Sequence, residues 1–277
     1  MVERVLADRP VTFADYGERA RAVLAPDVWD YVAGGGAAEV TLAANRSALD
    51  RVAVLPRVLR GREAVDTGVR LLGEPYAMPV GVAPMAYQRL VHPDGELGLA
   101  AAAGAAGLPY VASTLSSTPI EQITAAGAQV WFQLYWLRDR ALVRDLLDRV
   151  VAAGCRALVV TVDVPVLGRR PRDLRNAFRL PADVVAANLP YGRDTLAHAG
   201  VPGVSAIAPH TDASFESALR WADLAWLREH VDLPLGVLVG RPLLWALAVG
   251  GGPMFLSSRD GGGTCLVGRF VAEHGEQ

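Results

Sequence analysis

The runs PYVAST (109–114), VWFQLY (130–135) and ALVVTVD (157–163) decide the fold. Each is a short apolar stretch of strand length, rich in β-branched or aromatic residues, and a similar run, MPVGVAP (78–84), precedes them. Between the runs lie 95–106, 118–126 and 139–153, each able to present one apolar stripe on a helix. Strands bounded by turn residues and alternating with helical stretches predict βα units around a parallel sheet. The runs end on polar side chains: Ser113 and Thr114, then Gln133 and Tyr135, then Thr161 and Asp163. In a (β/α) barrel that end of the strands is the active-site face, and polar residues on three successive strand ends point to a site there.

Composition narrows the chemistry. The chain has 277 residues, of which 52% are hydrophobic, and a formal charge of -2. All 27 residues of the Lys+Arg total are arginine, so Schiff-base aldolases, pyridoxal-phosphate enzymes and Walker-type nucleotide sites, which need an ε-amine, are excluded. The balance of 27 basic against 29 acidic side chains gives no reason to expect nucleic acid or a membrane as partner. Cys155 and Cys265 are the only cysteines and suit neither a disulfide framework nor a metal knuckle. No His/Asp/Glu cluster has ligand spacing, so no metal is expected. The charged N-terminus lacks a signal-peptide core and no run approaches the length of a membrane span, so a soluble, cytoplasmic protein is expected.

The first 60 or so residues read as peripheral helices, over 27–32 and 37–49, with Gly34 to Gly36 stopping the first. Because those glycines follow a helix and not a strand, a dinucleotide site is disfavoured. The densest chemistry lies in TVDVPVLGRRPRDLRNAF (161–178), read as a loop, where Arg169, Arg170, Arg172 and Arg175, with Arg179 just beyond, crowd together. A guanidinium fork suits bidentate carboxylate binding, so one of them could hold an acidic substrate. Solvent exposure is the plainer expectation for Arg172, Arg175 and Arg179.

With these motifs in order, the chain resembles the FMN-dependent α-hydroxy-acid oxidase family, the group of glycolate oxidase, lactate oxidase and mandelate dehydrogenase. The stretches DYVAGGGAAEVTLAANRSAL, LPRVL, VGVAPMAYQRLVHPDGELGLA, STLSSTPIEQI, WFQLYWLRDR and TVDVPVLGRRPRDLRNAFRLP carry the resemblance, and APMAYQRL, WFQLYWLRD and RDLRNAFRLP are most similar to its hydroxymandelate-oxidising branch. The resemblance implies a TIM-type (β/α)8 barrel, here incomplete, in a single domain. Its parts would be a helical cap (1–77), the first half of the barrel (78–235), the last barrel unit (236–252) and an unrelated tail (253–277). It implies FMN on the C-terminal face, met by Pro84, Met85 and Ala86 through backbone groups and by Ser113, Gln133 and Thr161 through side chains, with Gly240 and Arg241 at the phosphate. Tyr31 and Tyr135 resemble the substrate-facing phenols, Arg170 the substrate-carboxylate arginine, and Asp163 the partner of the catalytic histidine. The implied reaction is oxidation of an aryl 2-hydroxy acid, 4-hydroxymandelate by the finer likeness, with O₂ reoxidising the flavin to give peroxide, as in antibiotic biosynthesis; a homo-oligomer is open.

The family pattern jumps between Leu235 and Gly236, where the start of a fifth strand runs into what resembles an eighth. About a hundred residues of a full barrel are skipped there, among them the flavin-contacting lysine and the segment with the base histidine. None of His92, His198, His210, His230 and His274 stands in the matching context. His210 is expected in the loop after the fourth strand, able to reach the site only by rearrangement. A deletion with a changed frame would explain both the jump and the unfamiliar tail. The alternative to an active oxidase is therefore a catalytically inactive flavin- or hydroxy-acid-binding paralogue, or a subunit that a partner completes.

Overall fold

A computed structural model of the protein describes residues 9–56, 58–61, 63–163, 166–190, 196–198, 205–238 and 254–257. Three helices lead in: α1 (Phe13–Val23), α2 (Pro26–Ala33) and α3 (Val40–Asp50). Thr12 opens α1 with a reciprocal capping box to Asp15, and Gly34 closes α2, where a Cβ would lie 2.4 Å from the Asp30 carbonyl oxygen. A hairpin of β1 (Val69–Leu71) and β2 (Glu74–Tyr76) follows.

The alternating part then runs α4 (Gly95–Ala105), β3 (Pro109–Ser113), α5 (Ile120–Ala125), β4 (Gln129–Tyr135), α6 (Arg140–Ala152) and β5 (Ala157–Thr161). After it come α7 (Pro171–Asn176), α8 (Ile207–Ser214), α9 (Trp221–His230), β6 (Leu235–Leu238) and β7 (Met254–Ser257). The sheet order is β3-β4-β5-β6-β7, parallel as far as β6 and antiparallel for β7. The expected α/β architecture with a parallel sheet is present, as an open sheet among the described residues.

Three sequence expectations are corrected. The run 78–84 is not a full strand: Val82 alone makes a parallel bridge, to Tyr110. Pro79 and Pro84 flank it without a backbone N–H to give, which confines a ladder to its middle. The segment 161–178 is not all loop, since Pro171 opens α7 at its first helical position. Finally, Leu235–Leu238 is one strand beside β5, in register Leu158↔Leu235 to Thr161↔Leu238. The residues on both sides of the sequence jump thus add to the edge of β5 as the fourth strand of the sheet, where unpaired backbone groups template an apolar chain, and Gly236–Leu238 do not stand apart from Leu235. Residues 239–253 and 258–277 lie outside the described residues, and with them Gly240, Arg241 and most of the tail.

Period-two alternation divides the core. Tyr110, Ala112, Val130, Phe132, Leu134, Leu158 and Val160 face the helices. Val111, Trp131, Ala157 and Val159 face the other way and pack with Tyr76 of the hairpin and Leu238. On that inner face Trp131 Nε1 donates to the Tyr76 hydroxyl at 3.1 Å, with the rings edge to face. Gly104 lets α4 approach the turn before β4, where a Cβ would meet the Gly127 carbonyl oxygen at 2.7 Å.

One buried carboxylate joins the loops above the sheet. Glu96, 0% exposed, accepts hydrogen bonds from the Gln88 and Ser117 backbone N–H groups and from the Ser117 and Thr118 hydroxyls, at 2.6–3.2 Å. It ties the segment after Val82 to the segment after β3. Replacing it by Ala leaves these donors without a partner in the interior, and Glu96→Ala is expected to lower unfolding free energy by about 3 kcal/mol, measured by urea denaturation; a loss within experimental error would show that the Ser117 and Thr118 loop does not depend on it.

Candidate active site

Ser113, Gln133 and Thr161 lie on the inner face of β3, β4 and β5, one layer above Val111, Trp131 and Val159. All three are buried and hydrogen-bonded in a row. Ser113 Oγ donates to Gln133 Oε1 at 3.1 Å, and Gln133 Nε2 donates to Thr161 Oγ1 at 2.9 Å. The row still has the second Gln133 N–H and the Thr161 hydroxyl proton to offer. Thr114, which the sequence reading left unused, fixes the strand ends: its hydroxyl donates to the Gln133 carbonyl at 2.7 Å and accepts from Tyr135 N at 2.9 Å.

Pro84, Met85 and Ala86 are half-buried on the segment after Val82, with Tyr87 N donating to the Leu115 carbonyl at 3.0 Å. Tyr135 ends β4, and its ring stacks on Phe215 at 4.9 Å and 26°. Tyr31, on α2, stacks on Phe178 at 4.3 Å and 6°. Burial, and after it the Asp163 charge, pushes the Tyr135 phenol up to about 12. Burial raises Tyr31 further, against the pull of Arg170. Asp163 itself is exposed, two residues beyond β5.

Arg170 is the structural centre of the arginine-rich segment. Its Nε donates to Asp173 Oδ2 at 2.8 Å, its Nη2 donates to the Tyr31 carbonyl, and its guanidinium carbon lies 5.4 Å from the Tyr31 ring centre. These bonds use Nε and one N–H of Nη2, and among the described residues they leave Nη1 and the second Nη2 N–H to form a bidentate bond. Asp173, fully buried and also accepting from Ser205 Oγ at 3.4 Å, was not singled out from sequence; its place three residues after Arg170, one helical turn away, was the available signal. Arg172 is no free surface charge either, since it pairs with Asp30 at 3.3 Å and Glu39 at 2.6 Å and so anchors α7 to the N-terminal helices.

His210 is on α8 and not in a loop, and it is buried. Its ring meets Phe215 edge to face at 6.2 Å, which puts it one side chain away from Tyr135. Burial, with a smaller contribution from His198, holds its pKa below the ordinary 6.5.

The model of the FMN-dependent dehydrogenases matches residues 20–237. The chain belongs to that family. It is 47% identical to the 4-hydroxymandelate oxidase of Amycolatopsis orientalis over 254 residues, covering 91% of this chain and 70% of that one. It is 38% identical to the L-lactate oxidase of Nostoc sp., over 91% of this chain and 71% of that one. The crystal structure of a mandelate oxidase with (S)-4-hydroxymandelic acid superposes with a TM-score of 0.78 at 50% identity, over 82% of this chain. The chain spans 63% of that solved chain. Ser113, Gln133, Tyr135, Thr161 and Arg170 all lie within the residues that match the family, on a sheet that is open among the described residues.

The Tyr135 environment makes a pH prediction. Its folded pKa stands above the ordinary 10.0, so the protonated phenol stabilises the fold, in full below pH 10, and that contribution is lost as pH rises through about 12. Absorbance titration near 295 nm should show several late-ionising phenols, of which Tyr135→Phe removes the one at about 12, and wild-type stability should fall more steeply than that of the variant over this window. Ionisation of Tyr135 at the ordinary value would contradict its burial against Phe215.

Proposed function

We propose that the protein binds FMN and an aryl 2-hydroxy acid, 4-hydroxymandelate, as a 2-hydroxy-acid oxidase. The observation that carries this reading is the Arg170 guanidinium, pinned at Nε by Asp173 and at Nη2 by the Tyr31 carbonyl, with Nη1 and the second Nη2 N–H without a partner among the described residues, beside the Tyr31 ring. A carboxylate is the planar, bidentate partner that such a fork suits.

The residues present fit FMN. A row of buried hydroxyl and amide groups with spare donors, above an apolar layer, suits the hydrogen-bonding edge and flat body of a flavin. Ser113, Gln133 and Thr161 would hold that edge, Pro84 to Ala86 would lie against the ring, and Gly240 and Arg241 would bind the phosphate. Bound there, FMN supplies a two-electron acceptor that O₂ can reoxidise. Arg170 holds the substrate carboxylate; Tyr31 and Tyr135, both kept as neutral phenols, donate hydrogen bonds to its oxygens; Phe178 and Phe215 behind them exclude water. Asp163 would orient and stabilise an imidazolium. The balanced reaction removes two electrons and two protons from 4-hydroxymandelate to give 4-hydroxybenzoylformate, while O₂ takes up both pairs as H₂O₂. A soluble, cytoplasmic enzyme supplying peptide-antibiotic synthesis fits this chemistry, and among the described residues no helix is long and apolar enough to cross a membrane.

The sequence jump at Leu235 and Gly236 favours a second reading, a binder without turnover. None of the five histidines stands in the motif of the family's base, and the α-proton of a 2-hydroxy acid needs an acceptor. The two readings separate experimentally. Purified protein is expected to be yellow or to take up added FMN, and colourless protein that binds none would refute both. Anaerobic bleaching on adding 4-hydroxymandelate marks the oxidase, and unchanged flavin absorbance in the presence of bound acid marks the binder. Arg170→Leu should weaken acid binding by about 100-fold or more with FMN uptake retained. Asp173→Asn should weaken it by about tenfold, because the anchor at Arg170 Nε loses its charge and keeps only a neutral amide acceptor.

A further inference from the structure

We propose that His210 reads the ring end of the substrate, its Nε2 hydrogen-bonding to the 4-hydroxyl of the aryl 2-hydroxy acid whose carboxylate Arg170 holds. The inference rests on the functional reading above and assigns a specificity residue within it.

His210 is 3% exposed, and its Nε2 is buried with no hydrogen-bond partner among the described residues. A buried imidazole nitrogen without a partner is costly and calls for an explanation. A ligand hydroxyl is one, because a neutral imidazole accepts from or donates to a phenol according to its tautomer. Burial keeps the ring neutral at neutral pH, so both modes remain open.

The surrounding geometry directs His210 towards the substrate. Its ring contacts Phe215, which stacks on Tyr135, so one continuous aromatic wall runs from His210 to the phenol at the end of β4. That wall is held in place. Arg138 N donates to the Ser214 carbonyl at 3.0 Å, Glu216 N to the Trp136 carbonyl at 2.9 Å, and Arg138 Nε to the Phe215 carbonyl at 3.0 Å, while Leu137 and Phe215 form an antiparallel bridge. The end of α8 is thereby fixed to the exit of β4. In the proposed pose a flat aryl group lies along Phe215 with its carboxylate towards Arg170 and its para position towards His210. A site built to bond a hydroxyl rejects the analogue that lacks it, because its own polar atom is then left unpaired.

The test is calorimetric titration of the purified, FMN-supplemented chain with 4-hydroxymandelate and, separately, mandelate. The wild type is expected to prefer 4-hydroxymandelate by about 10- to 100-fold. His210→Phe, which keeps a ring and removes the nitrogens, should bring the ratio of the two affinities close to one while changing mandelate affinity little. His210→Gln, with an amide in reach of the same position, should restore part of the preference and serves if the Phe variant fails to fold. An unchanged ratio in either variant, or a wild type that binds both acids equally, overturns the assignment of His210 and leaves the oxidase and binder readings standing. A wild type that takes up FMN but binds neither acid overturns those readings as well.

Discussion

The alternation of side chains along β4 is the constraint on which the candidate site depends. A strand sends successive residues to opposite faces. Val130, Phe132 and Leu134 therefore go to the helices, while Trp131 and Gln133 go to the inner face, and Tyr135 at the strand end packs its ring on Phe215. The parallel register places Ser113 opposite Gln133, and Thr161 opposite Tyr135. A slip of one residue would turn the polar row into the helix-facing core and bring Phe132 into its place. The apolar layer of Val111, Trp131 and Val159 beneath the row fixes this register, so packing and chemistry are set by the same alternation.

The second half of the site reaches the sheet from outside it. Arg170 and Asp173 stand at the start of α7, and Tyr31 stands on α2, far away in sequence. The bond from Arg170 to the Tyr31 carbonyl and the ion pairs of Arg172 with Asp30 and Glu39 hold α2 and α7 together. Much of the N-terminal region is otherwise exposed, with Val54, Leu55 and Leu59 almost wholly in solvent, so these polar contacts do much of the work of fixing Tyr31. Partly buried charge pairs are costly to split, which makes Arg172 a structural residue in a segment where its neighbour Arg170 presents a free edge.

The βα order and the polar strand ends were legible in the sequence because they rest on local pattern, period-two runs and helical stripes, whereas Arg170 is singled out by the family resemblance alone. Tertiary partners were not legible there. Asp173 looked like one more charge in a loop until α7 brought it under Arg170, and Arg172 looked solvated because its partners are more than a hundred positions earlier in the chain. The run around Val82 has strand composition, but its prolines limit it to one bridge. Gly236–Leu238 were read as a separate unit because their motif resembles the last strand of the family; next to β5, only apolar side chains and free backbone groups matter, and they continue from Leu235 without a break. His210 is expected in the loop after the fourth strand, yet Ile207–Ser214 forms a helix although it contains Pro209 and short polar residues, weak helix signals that tertiary packing overrides.

What the site retains and what the sequence jump removes differ in kind. Under the proposed function, Arg170, the two phenols and the polar row are binding groups that would act on the ground state, whether or not the sheet closes. Removing an α-proton needs in addition a base whose contribution is made in the transition state. Interactions shared equally by substrate and transition state increase affinity without speeding the chemical step, so a chain that keeps the first set and lacks the second loses rate far more than affinity. The missing lysine follows the same division. Across the surface, where any guanidinium will solvate, a chain with only arginine loses nothing; beside the flavin, the family's lysine belongs to the strand at which this sequence jumps. Holding an acid against a flavin and turning it over are therefore separable properties, and under the proposed function the described residues would serve the first without the second.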